Sequence, residues 1–282
     1  MTNILIPNQQ DLDQKLQKIV AWWSKHFHVI ADFDRTLTKA FVDGKPTSSL
    51  EGIFDEEGHL GEIYSAKAMV YFNTYYPIEI DPTVSIEKKK SLMHEWRGKV
   101  FMAKIEAWIT RNIITQAMKS DQIMFRSGYE IFFEMLKKNN IPLLIFSASG
   151  LWYEWIYGSL AHKKILSDNV DIIANSFVRN EEGKAVAYRE PIIHSYNKGE
   201  VVVKDLPIYD EIKNRKNIIL IGDSLGDVHM ADGFDYQNII KIWFLAHEDP
   251  ENRKQYQEKF DIIILNDGPM DEVNKLLKKI VK

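Results

Sequence analysis

Short apolar runs separated by segments of helical period organise this chain. Residues Asp11 to His26 carry Leu12, Leu16, Ile19, Val20 and Trp23 at helical spacing, which predicts a first amphipathic helix. Directly behind it, the run His28-Val29-Ile30-Ala31 ends at Asp32. Similar runs stand at Ile141 to Phe146, at Asn217 to Ile221, and at Ile239 to Phe244 with its neighbour Asp261 to Leu265. Runs this short and β-branched, lacking alternation with polar positions, are the pattern of strands buried on both faces of a parallel sheet. Their alternation with helix-period segments predicts an α/β fold with a parallel sheet flanked by helices.

About a hundred residues of different texture separate the first two strands, too long an excursion for a structureless loop. They are rich in Trp, Met and Lys, with helical periodicity from Ile86 to Met118. This predicts an inserted helical cap at residues 41–124 on a core built from 1–40 and 125–282. Val170 to Tyr188 has two strand-like halves around Asn180-Glu181-Glu182-Gly183 and reads as a β-hairpin. The run Lys88-Lys89-Lys90 reads as a solvated helix face.

With 282 residues, 45% of them hydrophobic and 27% charged, the chain can bury a sizeable core, which excludes the disordered and fibrous classes. A formal net charge of −4 argues against a nucleic acid polymer or an anionic membrane as partner. The absence of cysteine removes disulfides, thiolate catalysis and Cys-ligated zinc, so carboxylates and histidines are left to bind a hard, oxygen-seeking cation. The N-terminal segment has no basic start followed by an apolar run, and no stretch approaches the ~18 apolar residues of a membrane span, so a cytoplasmic location is expected.

Ligands of open α/β sheets bind beyond the carboxyl ends of the strands, so polar residues ending separate strands converge on one site. Three predicted strands end in this way, at Asp32-Phe33-Asp34-Arg35-Thr36, at Ser147-Ala148-Ser149-Gly150 and at Gly222-Asp223-Ser224-Leu225-Gly226-Asp227. Each alone is ordinary cap or turn chemistry; the three together, in order, specify much more. Two carboxylates two positions apart leave a strand end close together but aimed differently. One of Asp32 and Asp34 can then attack phosphorus while the other handles protons. Asp223 and Asp227 complete an oxygen cage for Mg²⁺, which offsets the repulsion between an anionic nucleophile and an anionic ester. Ser147, Ala148 and Ser149 offer hydroxyl and backbone donors to phosphate oxygens, and Lys198 can supply the positive charge that phosphoryl transfer requires.

These motifs resemble the haloacid dehalogenase (HAD) superfamily at all four of its motif positions. The segments around Tyr75 to Lys89, Ser127 to Phe133, Ile141 to Gly150, His194 to Lys198 and Asn217 to Gly233 further resemble the cytosolic pyrimidine 5′-nucleotidases (type III), from about Val29 to the C-terminus. The resemblance implies a Rossmann-like core, a helical cap between the first and second motifs, and Mg²⁺-dependent hydrolysis of nucleoside 5′-monophosphates through an aspartyl-phosphate. It makes Asp32 the nucleophile, Asp34 the acid/base, and Ser147 and Lys198 phosphate binders. Asp32, the Asp34 backbone carbonyl and Asp223 hold the metal, with Asp227 behind them. In the cap it makes Glu79 a reader of the base and Trp96 an aromatic neighbour of the base. The sequence departs from the family at Ser149, where glycine is usual, and at Gly44 to Leu50, where Ser and Leu stand in place of a histidine or tyrosine near the base. These departures bear on the preferred base and leave the phosphate chemistry intact.

Other readings remain open from sequence: a HAD phosphatase for another small ester such as a sugar phosphate, a nucleoside phosphotransferase, or a receiver switched by phosphorylation of Asp32. The second acid, Asp34, and a cap large enough to enclose a substrate speak against the receiver. Oligomeric state is not encoded in any of these features.

Overall fold

The computed structural model describes residues 4–21, 26–120, 123–148, 150, 153–200, 207–246 and 253–281. Its strands are β1 (Ile4–Leu5), β2 (Phe27–Asp32), β3 (Phe41–Val42), β4 (Lys45–Pro46), β5 (Leu143–Ser147), β6 (Val170–Ala174), β7 (Phe177–Arg179), β8 (Ala185–Tyr188), β9 (Asn217–Gly222), β10 (Asn238–Phe244) and β11 (Ile262–Ile264). Seven of them form one sheet in the order β1-β11-β10-β9-β2-β5-β6, with β3–β4 and β7–β8 as separate two-stranded hairpins. Every neighbour in the main sheet is parallel except β1, which runs antiparallel to β11. The two central strands flanking the site, β2 and β9, are buried at every position, as continuous apolar runs require.

Alternate residues of these strands feed two cores. Val29, Ala31, Ile219 and Ile221 face one side, where Ile19 of α1 (Gln9–Ala21), Phe132 of α6 (Tyr129–Lys138) and Leu277 of α10 (Asp271–Ile280) pack. Ile30, Ile218 and Leu220 face the other, against Ile212 of α8 (Tyr209–Ile212) and Met230. The period-2 alternation of a strand is thus filled on both faces, and the sheet becomes the middle of a three-layer core.

Between β2 and β5 stand α2 (Leu50–Glu56), α3 (Glu62–Ile80), α4 (Ile86–Glu106) and α5 (Arg111–Ala117). Side-chain caps set three of their starts: Ser49, Ser85 and Thr110 accept from the backbone N–H of Gly52, Lys88 and Ile113. The two connections to the core run side by side. Thr38 bridges Phe125, Lys39 N–H donates to Met124 O at 2.8 Å, and Arg126 N–H donates to Leu37 O at 3.0 Å. Buried Arg126 clasps this root, donating to Thr36 O at 2.7 Å and Gly268 O at 2.9 Å and pairing with Asp267 at 2.7 Å. Asp267 in turn accepts from the N–H groups of Ala40 and Phe41. Neither Arg126 nor Asp267 belongs to a recognisable sequence motif.

Three expectations need correction. The helix expected over Ile86 to Met118 breaks after Glu106, because Trp108 takes a left-handed φ of 64° and Thr110 caps a new helix. Val170 to Ala174 is not half of a hairpin but the edge strand of the main sheet, paired parallel to β5; the hairpin begins only at Phe177. Within the lysine run, Lys88 is exposed but Lys89 is buried, because its ammonium closes the C-terminus of α3 by donating to Glu79 O at 2.8 Å. No described helix is long and apolar enough to cross a membrane.

Candidate active site

Adjacent parallel strands β5, β2 and β9 end at one level, with Asp32 level with Phe146 and Ala31 level with Ile221. Their carboxyl ends therefore bring the three sequence motifs into one cleft of about 550 Å³. Asp32, Asp34, Ala148, Lys198, Asp223 and Asp227 line its floor, and Glu79 and Trp96 line its far wall. Ser147 is buried at the last position of β5, directly before Ala148. Ser149 lies outside the described residues.

Lys198 sits between two acids, with its ammonium 2.5 Å from Asp32 Oδ1 and 2.7 Å from Asp227 Oδ1. Burial alone would discharge such a lysine; the two carboxylates reverse this and hold it protonated. Asp227 is fixed by the backbone, since its Oδ2 accepts from Asp223 N–H at 3.1 Å and from Ser224 N–H at 3.0 Å. This close approach explains Gly222: a Cβ there would lie 2.6 Å from that of Asp227. Asp34 faces the insert, and its Oδ1 accepts from Leu50 N–H at 3.0 Å, the first residue of α2.

Asp32, Asp223 and Asp227 offer carboxylate oxygens that all lie within 4.8 Å of one another. Burial, opposed by Lys198 and reinforced by the neighbouring acids, pushes the Asp32 carboxyl well above its ordinary range. Burial and the charge of Asp227 push Asp223 up to about 7. Three crowded carboxylates served by one ammonium carry an excess of negative charge, and an all-oxygen donor set fits a hard divalent cation such as Mg²⁺. The Asp34 carboxylate is not part of this cluster.

The far wall is built from side chains of the insert. Phe72 and Tyr76, one turn apart on α3, stack at 4.7 Å and are 45% and 40% exposed. Trp96 is only 5% exposed: Tyr75 lies parallel to it at 5.9 Å and the Arg97 guanidinium sits 4.7 Å from its ring centroid. Glu51, Asp55, Glu56 and Glu79 make this wall acidic. Glu51 is paired with buried Lys104 at 2.7 Å. Burial and the charge of Glu51 push Asp55 up to about 6, although Tyr64 donates its hydroxyl to it at 2.7 Å. Glu79 accepts from Ser195 Oγ at 2.7 Å.

Sequence reading missed Arg35, Phe72, Tyr76, Arg97 and the acids of α2. Arg35 was within reach, inside the first motif; it takes φ 59° and donates to Thr47 O at 3.0 Å. The aromatic pair had a weaker signal. Helix α3 carries apolar residues all round, leaving Ile63, Met69, Val70 and Ile80 exposed as well, so its periodicity does not mark which face meets the cleft.

Residues 35–281 match the family described as Pyrimidine 5′-nucleotidase (UMPH-1). The chain is 35% identical over 271 residues to 7-methylguanosine phosphate-specific 5′-nucleotidase A of Xenopus laevis, covering 95% of this chain and 92% of that protein. It is 31% identical to the putative cytosolic 5′-nucleotidase 3 of Caenorhabditis elegans, covering 97% of this chain and 74% of that one. Among solved structures, cytosolic 5′-nucleotidase IIIB bound to cytidine superposes with a TM-score of 0.88 at 29% identity, over 99% of this chain and 94% of that one. A probable phosphoserine phosphatase from Vibrio cholerae, 11% identical with a TM-score of 0.54 over 92% of this chain and 66% of that one, shares the fold.

Proposed function

Because the chain belongs to the pyrimidine 5′-nucleotidase (UMPH-1) family of HAD-like phosphatases, we propose that it hydrolyses nucleoside 5′-monophosphates at the cleft between the strand ends and a helical cap formed by residues 41–124. One observation carries the reading: Asp32, held by Lys198, and Asp34, held by the first cap helix, stand at one end of a cleft whose other end is aromatic and acidic.

In this reading Asp32 attacks phosphorus, the bond to the ribose 5′-oxygen breaks, and Asp34 gives that oxygen a proton. Asp34, now a base, takes a proton from water as the water attacks the aspartyl-phosphate, which releases phosphate and restores Asp32. Lys198 spreads positive charge toward the equatorial oxygens and opposes the effect of burial on the Asp32 carboxyl. Ser147, Ala148 and Ser149 hold the remaining phosphate oxygens. Asp32, Asp223 and the Asp34 carbonyl would hold Mg²⁺, with Asp227 behind them; when bound, the ion neutralises phosphate charge and draws the two anions together.

The acidic wall decides among bases. N7-methylation puts a positive charge on the guanine ring, and aromatic faces beside an acidic wall attract a cationic ring. We therefore assign 7-methylguanosine 5′-monophosphate as the preferred substrate, in keeping with the name of the Xenopus laevis relative. Cytidine 5′-monophosphate is the second reading, favoured by the cytidine in the similar solved structure and by an amino donor that Glu79 can accept. A cytosolic location accords with the name of the Caenorhabditis elegans relative. The test is phosphate release from 7-methylguanosine, cytidine, uridine, adenosine and guanosine 5′-monophosphates and from sugar phosphates, with and without Mg²⁺. The methylated nucleotide should lead and chelator should silence all of them. A sugar phosphate in first place would overturn the nucleotidase reading.

A further inference from the structure

Glu79 occupies an unfavourable place for a carboxylate. It is the last residue but one of α3, where the helix presents the negative end of its dipole and its final carbonyls lack helical donors. Donors from outside the helix offset both. The Tyr196 hydroxyl and the Lys89 ammonium donate to Glu79 O, at 2.6 Å and 2.8 Å. Ser195 Oγ donates to the side chain, reaching Glu79 Oε1 at 2.7 Å. Among the described residues no group donates to Oε2, so a single hydroxyl sets the direction of this carboxylate.

Ser195 is itself placed by the floor of the cleft. Its carbonyl lies against Gly226, where a Cβ would come within 3.0 Å of it, and Gly226 directly precedes Asp227. Three residues further on, Lys198 is bound to Asp32 and Asp227. Asn197 closes the turn between them, accepting from His194 N–H and donating to Ile192 O, both at 2.7 Å. One short loop therefore carries the phosphate cation at one end and the anchor of Glu79 at the other, and Ser195 and Glu79 both line the cleft. The insert is held in place by other contacts. Ala185 N–H of the β7–β8 hairpin donates to Ile109 O at 3.1 Å, and Phe101 of α4 packs edge-on against Tyr188 at 5.4 Å. The Ser195 hydroxyl is thus left to orient a side chain rather than to join two layers.

We propose that Ser195 is a positioning residue for base selection: its hydroxyl aims the Glu79 carboxylate from the same loop that fixes the phosphate site, so that the two are held at one separation. The loop then measures the substrate, favouring esters in which a base donor lies one ribose away from phosphorus. An ester without a base gains nothing from it. The inference rests on the reading of the cleft as a nucleotidase site in which Glu79 meets the base, and adds the residue that directs Glu79.

The experiment is steady-state kinetics of Ser195→Ala, Ser195→Thr, Glu79→Ala and the double variant Ser195→Ala/Glu79→Ala, with thermal melting of each protein. The substrates are 7-methylguanosine and cytidine 5′-monophosphates, ribose 5-phosphate and an aryl phosphate. Ser195→Ala should lower kcat/KM roughly tenfold on both nucleotides, mainly through KM, with at most about a twofold change on the esters that lack a base and little change in Tm. Ser195→Thr, which keeps the hydroxyl, should restore both nucleotides. In the Glu79→Ala background the same alanine should cost less than about twofold, because no carboxylate is left to aim. Equal losses on all four esters, or full additivity with Glu79→Ala, would overturn the proposal, since Ser195 would then act on the loop and not through Glu79. Wild-type kinetics in Ser195→Ala would overturn it as well. Should that variant not fold, Ser195→Val, which has the shape of threonine without its hydroxyl, gives the same comparison with Ser195→Thr. Failure of the nucleotidase reading shows separately, in the wild-type protein, as a kcat/KM for ribose 5-phosphate above that for both nucleotides; this would overturn that reading and the proposal with it.

Discussion

The two ends of the cleft are built by different means. At the floor, Asp32, Ser147 and Asp223 sit at the ends of adjacent strands, and backbone N–H groups and Lys198 fix the carboxylates, so their positions follow from the register of the sheet. At the far wall, Phe72, Tyr76, Trp96 and the acids of α2 are presented by helix faces that belong to a separate layer, and the Phe72 and Tyr76 side chains are exposed. The floor suits chemistry, which tolerates little displacement of the reacting groups. The wall suits selection, since side chains on helices can change without disturbing the sheet.

If this division holds, substitutions on the floor should affect every substrate. Asp32→Asn should abolish turnover of nucleotides and aryl phosphates alike while the protein stays folded by circular dichroism, because an amide cannot attack phosphorus. Asp34→Asn should follow with a loss in kcat of ~10²–10⁴-fold, measured by phosphate release, while substrate binding survives. Wild-type rates in either variant would break the two-carboxylate reading.

The root that joins the two ends gives the next effect. Arg126 is 0% exposed and its removal leaves the half-buried Asp267 without its cation. Arg126→Ala should therefore lower stability by ~3–5 kcal/mol in denaturant unfolding. A change below about 1 kcal/mol would show that the clasp is dispensable.

Substitutions at the wall should be selective. Removing the stacking surface by Phe72→Ala or Trp96→Ala should weaken nucleotide binding by ~1–3 kcal/mol, read as kcat/KM, with far less effect on an aryl phosphate. Glu79→Gln should redistribute rates among nucleotides more than it lowers them all. Phe72 presents the more open ring, so its loss should exceed that of Trp96 if a base stacks there; the reverse order would place the base against Trp96 and displace Arg97.

The smallest effect comes from a contrast within the core itself. Asp32 has a counter-charge, whereas His28 on the same strand has both ring nitrogens buried without a hydrogen-bond partner among the described residues, beside Phe234 at 5.2 Å. Burial, with the charge of Arg215 adding to it, pushes His28 down to about 3. The folded state therefore binds fewer protons than the unfolded one. Stability is full above the unfolded value near 6.5 and is lost as pH falls from there toward 3, at ~1.4 kcal/mol per unit at most. Replacing His28 by Phe should flatten this part of the profile in urea titrations at pH 7, 6 and 5. An unchanged slope would mean that other groups set the acid limit.

The same contrast explains what could be read from sequence. The strands and the polar residues that end them were legible because a buried parallel strand is a continuous apolar run that must stop where polar chemistry begins, as at Ala31-Asp32 and Ile221-Gly222-Asp223. The insert was legible as a region but not as a surface. Helix α3 is apolar on all sides, so nothing in its pattern separates Phe72, which faces the cleft, from Val70, which faces away. Arg126 and Asp267, 141 positions apart by number, meet only in the folded chain. Lys89 was misread for the same reason, since a lysine run looks solvated until the end of another helix needs a donor.

The covalent step at the floor is the claim on which the rest depends, and trapping tests it most directly. Asp34→Asn should slow hydrolysis of the acyl phosphate more than its formation from an activated aryl phosphate, so acid quench within a turnover should catch phosphorylated protein. Peptide mass mapping should then place one phosphoryl group on the peptide containing Asp32, with none in Asp32→Asn. Phosphate released in a single burst with unmodified Asp32, or label on any other residue, would contradict the mechanism.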